Sequence, residues 1–168
     1  NGRRISLRLA LVKSRAATPE PDLVTLLDGG PGGAATEDYP GVASAFAELR
    51  RRRHVLLVDQ RGTGDSNALR CDEAATDDVT VVESRQQGAA RGLDRELVRR
   101  ELQQCLARLQ ARADVRWYRT SDAIRDLEEV RQALGAPQLN LVGVSYGTRV
   151  AQQYATAFPS AVRTIVLD

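Results

Sequence analysis

Hydrophobic and polar positions along the chain change period several times, and the changes divide it into elements. Ile5, Leu7, Leu9 and Leu11 alternate with polar or small residues, the period-two pattern of a half-buried strand. Two prolines in Thr18 to Asp22 predict a turn. Leu23 to Leu27 is a short apolar run that stops at Asp28-Gly29-Gly30-Pro31-Gly32-Gly33. Val42, Phe46 and Leu49 share one face of a helix predicted over 41–53, closed by Arg50 to Arg53, a solvated end that suits the helix dipole. Val55 to Val58 is unbroken apolar sequence, as in a strand buried on both faces of a parallel sheet. The loop Asp59 to Ser66 follows, punctuated by glycine.

Residues 72–92 are rich in Asp, Gly and Ala and predict no regular element. The 3.6-residue period returns over 93–112, with Leu93, Leu97, Val98, Leu102, Cys105, Leu106 and Leu109 forming an apolar stripe. A further helix spans about 121–134 through Ile124, Leu127, Val130 and Leu134, and Gly135 suits a left-handed stop. A buried strand over 139–144, a helix over 146–158 ended by Pro159, and a strand over 162–167 complete the order. Strands alternating with helices predict an α/β fold with a mostly parallel sheet flanked by helices.

Composition narrows the function classes. The 168 residues are the length of one domain, with 42% hydrophobic and 27% charged residues. A net charge of +2, from 24 basic and 22 acidic residues, gives no reason to expect nucleic acid or an anionic membrane as partner. No apolar run reaches the roughly 20 residues that span a bilayer. The chain begins at Asn1 and holds no methionine, so it reads as lacking its translated start, by maturation or by truncation. Two cysteines, Cys71 and Cys105, exclude a zinc site of several thiolates; they read either as separate buried thiols or as one disulfide of an oxidising compartment.

Three segments carry chemistry. Gly143-Val144-Ser145-Tyr146-Gly147 matches G-x-S-x-G between a predicted strand and a predicted helix. A serine on so tight a turn projects Oγ from the sheet, the flanking glycines remove side chains that would collide, and the Tyr146 N–H faces the position of a developing oxyanion. The Gly-rich segment after Asp28 is suited to bring a second backbone N–H close to substrate. Asp59-Gln60-Arg61-Gly62-Thr63-Gly64-Asp65-Ser66 also lies past a strand end, where such folds place their sites, and Asp59 with Arg61 predicts an ion pair that shapes the loop.

Taken in order, GGPGG at 29–33, DQRGTGDS at 59–66 and GVSYGT at 143–148 resemble the proline iminopeptidase and tripeptidyl aminopeptidase group of α/β-hydrolase serine peptidases, family S33. The resemblance implies an α/β-hydrolase fold truncated after the strand that follows the nucleophile helix. It implies Ser145 as nucleophile, Gly30 and Tyr146 as oxyanion donors, and Gly29, Asp59, Arg61, Gly143 and Gly147 in supporting places. It implies no metal and no cofactor, and a peptide with a free N-terminus as substrate. The pair Cys71 and Cys105 is similar to a disulfide of the secreted tripeptidyl aminopeptidase branch, which implies a secreted or periplasmic location. An esterase of the same fold, or a noncatalytic α/β module, is the alternative.

Two departures follow. Asp28 stands where the group often has histidine or a small residue, and an anion there disfavours an oxyanion unless it is paired or turned away. The triad order in this fold is Ser, acid, His. The sole histidine, His54, precedes Ser145 and reads as structural, and the sole acid after the elbow is Asp168. The chain thus corresponds to the N-terminal part of a catalytic domain, 1–168, with lid, acid and histidine in a remaining C-terminal half that activity needs.

Overall fold

A computed structural model describes residues 4–71 and 95–168, which fall into two compact units, 1–68 with 118–168, and 69–117. In the first, β1 (Leu9–Val12), β2 (Leu23–Leu27), β3 (Val55–Val58), β4 (Leu139–Gly143) and β5 (Val162–Leu167) form one sheet in the order β1-β3-β2-β4-β5. β1 is antiparallel to β3, and every other pairing is parallel. The register places Leu27 beside Gly143 and Val24 beside both Val55 and Asn140, so the strands end together at one edge.

The continuous apolar runs serve two faces at once. Leu23, Leu27, Leu56, Val58, Leu139 and Leu141 pack with Ile124, Leu127 and Val130 of α3 (Thr120–Ala133) and with Val150, Ala151 and Tyr154 of α4 (Tyr146–Ala157). Val24, Leu26, Val55 and Leu57 point the other way, onto Ala35 and Tyr39 of α1 (Ala35–Val42) and onto Phe46. The α3–α4 seam is also polar. The Tyr154 hydroxyl, fully buried, donates to Glu128 Oε2 at 2.6 Å, and Arg131 grips the same carboxylate at 2.6 and 2.8 Å. These partners hold the Glu128 carboxyl at about 2, with the Arg131 hydrogen bond the largest cause. Gly135 closes α3 at φ +65°, as its place in the sequence predicts.

Three expectations are corrected. The helix over 41–53 is absent: α1 ends at Val42, and 43–48 run as successive turns with N–H to O bonds three residues back (Ala45 to Val42, Phe46 to Ala43, Ala47 to Ser44). At three residues per turn the Val42–Phe46–Leu49 stripe does not stack. Phe46 alone of the three is buried, Val42 and Leu49 being 43% and 40% exposed. The first strand is shorter than 5–11, and Leu9 and Leu11 are 41% and 45% exposed because β1 is an edge strand. In the second unit, α2 (Arg95–Arg112) buries Cys105 but leaves Leu102 and Leu106 on the surface, so the predicted stripe is not a packed face along its length. Residues 72–92 and Leu93, and the side chain of Leu97, lie outside the described residues. Cys71 and Cys105 are joined as a disulfide, Cα to Cα 5.4 Å. Among the described residues no helix is long and apolar enough to cross a membrane.

Candidate active site

Three loops leave the same edge of the sheet, and their glycines explain how closely they approach. Ser145 follows β4 after one residue, Val144, and directly precedes α4, at φ 51° and ψ −117°. That conformation costs a residue with a Cβ on the order of 1–3 kcal/mol. Backbone bonds hold it: Val144 N–H donates to Leu27 O (3.0 Å), Ser145 N–H to Asp168 O (2.8 Å), and Thr148 N–H to Ser145 O (3.0 Å). The two flanking glycines are steric requirements. A Cβ on Gly147 would overlap the Leu27 carbonyl oxygen, and one on Gly143 would lie 2.6 Å from Gly147 O. Ser145 is left exposed to solvent at the tip. Tyr146 opens α4, so its N–H has no intrahelical acceptor, while its hydroxyl pairs with Thr120 Oγ1 at 2.6 Å.

The Gly-rich loop comes against that tip. A Cβ on Gly29 would lie 3.2 Å from Ser145 Cβ and 3.7 Å from its Oγ, ordinary to tight packing that only a bare Cα reaches comfortably. Gly30 stands at φ +111°, where a Cβ would be 2.7 Å from Gly32 N, and Gly33 N–H closes the turn on Gly29 O at 3.2 Å. The structure therefore brings Gly29, Gly30, Gly143, Ser145, Tyr146 and Gly147 into one neighbourhood.

The third loop is built around Asp59, which is fully buried. Its carboxylate accepts the Thr36 N–H (2.9 Å) and hydroxyl (2.9 Å), and the Asp65 N–H (3.3 Å). Thr36 lies in the first turn of α1, so Asp59 ties this loop to the helix that leaves the Gly-rich segment. The predicted Asp59–Arg61 pair is corrected. Arg61 instead makes a bidentate bridge to Asp126 of α3, at 2.5 and 2.6 Å, because Asp59 is committed to Thr36 and Asp65 behind the loop. Thr36 and Asp126 are partners that the sequence did not mark; each looks like an ordinary helix residue.

His54 lies at the other end of the sheet. It precedes β3, and its Nδ1 accepts the Ser14 N–H at 2.9 Å. The register sets it level with the start of β4, so at about 3.3 Å per residue the four steps to Gly143 alone span roughly 13 Å. Asp168 is bound through its backbone to both sides of the elbow, its N–H donating to Gly143 O at 2.9 Å.

A strand, a serine at positive φ on a turn closed by two obligatory glycines, and a helix, all on a mainly parallel sheet, define a hydrolase architecture, and the family profile for the alpha/beta hydrolase fold matches residues 22–168. The chain belongs to that family. It is 31% identical over 163 residues to the hydrolase YuaR of Escherichia coli (strain K12), covering 96% of this chain and 30% of that protein. It is 29% identical over 165 residues to the serine protease Hip1 of Mycobacterium tuberculosis (strain ATCC 25618 / H37Rv), covering 95% and 31%. It is 31% identical over 149 residues to the tripeptidyl aminopeptidase of Streptomyces coelicolor (strain ATCC BAA-471 / A3(2) / M145), covering 83% and 26%. The chain thus spans about a third or less of the length of these relatives.

Proposed function

We propose that the chain is the nucleophile-bearing part of a serine hydrolase that releases residues or short peptides from a free N-terminus through an acyl-enzyme. The observation that carries the reading is Ser145 itself, exposed at φ 51° between β4 and α4 with Gly29 packed on its Cβ. In this reading Ser145 Oγ attacks the scissile carbonyl. The N–H groups of Gly30 and Tyr146 receive the oxyanion, since preorganised donors there strengthen as charge develops. Gly29, Gly143 and Gly147 permit the approach, while Asp59 and Arg61 brace the neighbouring loop. The names of the aminopeptidase and serine protease relatives support a peptide substrate. The Cys71–Cys105 disulfide supports a secreted or periplasmic location.

The acid and the base come, in this reading, from the C-terminal sequence that the longer relatives have. His54 is too far away to take the Ser145 proton, which needs a heavy-atom separation of about 3 Å. The test uses an aminoacyl or tripeptidyl chromogenic amide with purified chain 1–168, a longer protein carrying the C-terminal part, and Ser145→Ala in each. The chain alone should match its Ser145→Ala variant. The longer protein should cleave, and lose about 10⁴-fold or more in kcat on Ser145→Ala. Turnover by the short chain that depends on Ser145 would refute the need for an outside base. Turnover by the longer protein that ignores Ser145 would refute the nucleophile.

A further inference from the structure

Asp28 is the last residue before the Gly-rich loop, and its side chain fills the inside of that loop. Oδ1 accepts the Gly29 N–H at 2.7 Å. Oδ2 lies beneath Gly33, so close that a Cβ there would be 2.5 Å from it. The residue's own carbonyl oxygen meets the elbow, where a Cβ on Gly147 would be 2.9 Å away. Asp28 therefore touches both ends of the turn that presses on Ser145, and the turn that presents Ser145. Its two oxygens are unequal: Oδ1 is bonded, whereas Oδ2 is buried and meets no donor among the described residues, the side chain that the carboxyl faces being the acidic Asp38, with which it can share a hydrogen bond only if one of the two carries a proton. A buried carboxylate oxygen without a donor is costly, and a proton on it removes most of that cost.

We propose that Asp28 is a positioning residue that holds the Gly29–Gly33 loop against Ser145 as a neutral carboxylic acid. The role rests on the reading of Ser145 as nucleophile. The ionisable groups that bear on Asp28 are Asp38 on α1 and Asp59 after β3, both acidic; the elbow packed on its backbone brings Ser145 and Gly147, neither of them charged. Burial raises the Asp28 carboxyl above the usual aspartate value. Asp38 adds to that through its carboxyl and its charge, Asp59 through its charge, and the Gly29 N–H opposes them. A neutral Asp28 keeps the anchor on Gly29 while placing no negative charge beside the developing oxyanion, which answers the difficulty that an aspartate poses there. Ionised, the same residue would oppose that charge.

The experiment has two arms. In the first, the chain labelled with ¹³C at aspartate carboxyls is titrated by NMR. The Asp28 carboxyl should titrate above the usual aspartate value, with the Gly29 and Gly33 amides moving in step. Asp28→Asn, which keeps the acceptor for Gly29 and cannot ionise, should hold both amides near their low-pH positions throughout. The second arm compares kcat/KM of Asp28→Asn and the unaltered residue in the longer protein, against a tripeptidyl chromogenic amide. Their ratio should rise several-fold as pH passes the Asp28 midpoint and then level, a change that a merely structural role would not produce. The ratio cancels the titration of the histidine common to both proteins. An Asp28 carboxyl titrating at or below the usual value, or a ratio flat with pH, overturns the proposal. If hydrolysis proves independent of Ser145, the functional reading falls by itself, and the NMR arm still decides whether Asp28 anchors the loop as an acid.

Discussion

Asp22 and Asp28 flank the same five-residue strand, β2, and their surroundings drive them to opposite states. At the start of the strand, Asp22 accepts Arg53 Nε at 2.7 Å and Asn140 Nδ2 at 2.5 Å, with Arg163 3.4 Å from its other oxygen. Burial works against its charge, but Arg53 and Asn140 outweigh burial, and its carboxyl lies below the usual aspartate value. At the end of the strand, Asp28 has one backbone donor, an oxygen that meets no donor among the described residues and two acidic neighbours, and its carboxyl lies above that value. The same division extends to the backbone. At the start, Asn140 also bonds Leu23 O and accepts the Thr164 hydroxyl, so that its side chain spans the register shift between β4 and β5 at Leu139/Asn140. At the end stand Ser145 at φ 51° and Gly30 and Gly32 at φ above 110°. One edge of the sheet is satisfied and the other is strained, and the strained edge is where an exposed serine is held in place. Strain of this kind persists because the packing around it leaves no alternative.

The largest effect should come from denying the strained edge its closest approach. Ala at 147 places a methyl into the Leu27 carbonyl, and no rotamer relieves a backbone clash. Gly147→Ala should cost at least about 3–4 kcal/mol, enough to leave a marginal domain unfolded. Gly41→Ala is the matched control, because nothing lies within 4 Å of a Cβ there. It should be neutral or stabilising by about 0.5 kcal/mol in a helical position. Urea unfolding of both variants checks the pair, and a Gly147→Ala protein as stable as the control would mean that the elbow is not held against β2.

Breaking the satisfied edge should cost less and should depend on pH. Asp22→Ala leaves Arg53, whose side chain is 18% exposed, and Asn140 without their shared acceptor. Because Arg53 still reaches water, the loss should be about 2–4 kcal/mol at pH 7, toward the lower end of buried pairs. Asp22 has a folded-state value below its unfolded one of about 3.8. Its contribution is therefore complete above that value and disappears as pH falls through the folded value. Asp28 has the opposite sign: its contribution is present below about 3.8 and is lost as pH rises through its raised value. Unfolding free energies of the unaltered protein and Asp22→Ala at pH 7 and pH 3 should differ by less at pH 3. An equal gap at both would show that Asp22 acts by packing and not by charge.

The sequence made the strained edge legible and left much of the satisfied edge hidden, for a physical reason. Gly143, Ser145 and Gly147 are few, fixed in spacing and sterically obligatory, so short-range sequence reports them. The apolar runs of β2, β3 and β4 are equally local. The partners of Asp22 are 31, 118 and 141 residues away, and at the strained edge too Thr36 lies 23 residues from Asp59 and Asp126 lies 65 from Arg61. Nothing in the local pattern selects Thr36 over Arg61 as the companion of Asp59. The helix expected over 41–53 failed differently: its apolar spacing fits an α-helix, yet only Phe46 has core to meet, and turns of shorter period suffice to bury it.

The smallest effect is the most discriminating, because it should run against the usual direction of mutation. Ser145 at φ 51° and ψ −117° occupies the mirror image of an extended conformation, which glycine adopts about as readily as the extended form itself. Ser145→Gly removes the Cβ that makes this backbone conformation costly. Relief of strain is worth roughly 1–3 kcal/mol, and the added freedom of glycine in the unfolded chain takes back roughly 0.5–1 kcal/mol. The variant should therefore be more stable by about 1 kcal/mol, whereas the proposed function requires the longer protein to lose its activity. Ser145→Ala, which keeps the Cβ, should change stability by less than about 0.5 kcal/mol, as a surface substitution does. Thermal unfolding of the three proteins at one pH separates the cases. A Ser145→Gly protein less stable than Ser145→Ala would show that the positive φ carries no strain, and the contrast between the two edges would then rest on their charges alone.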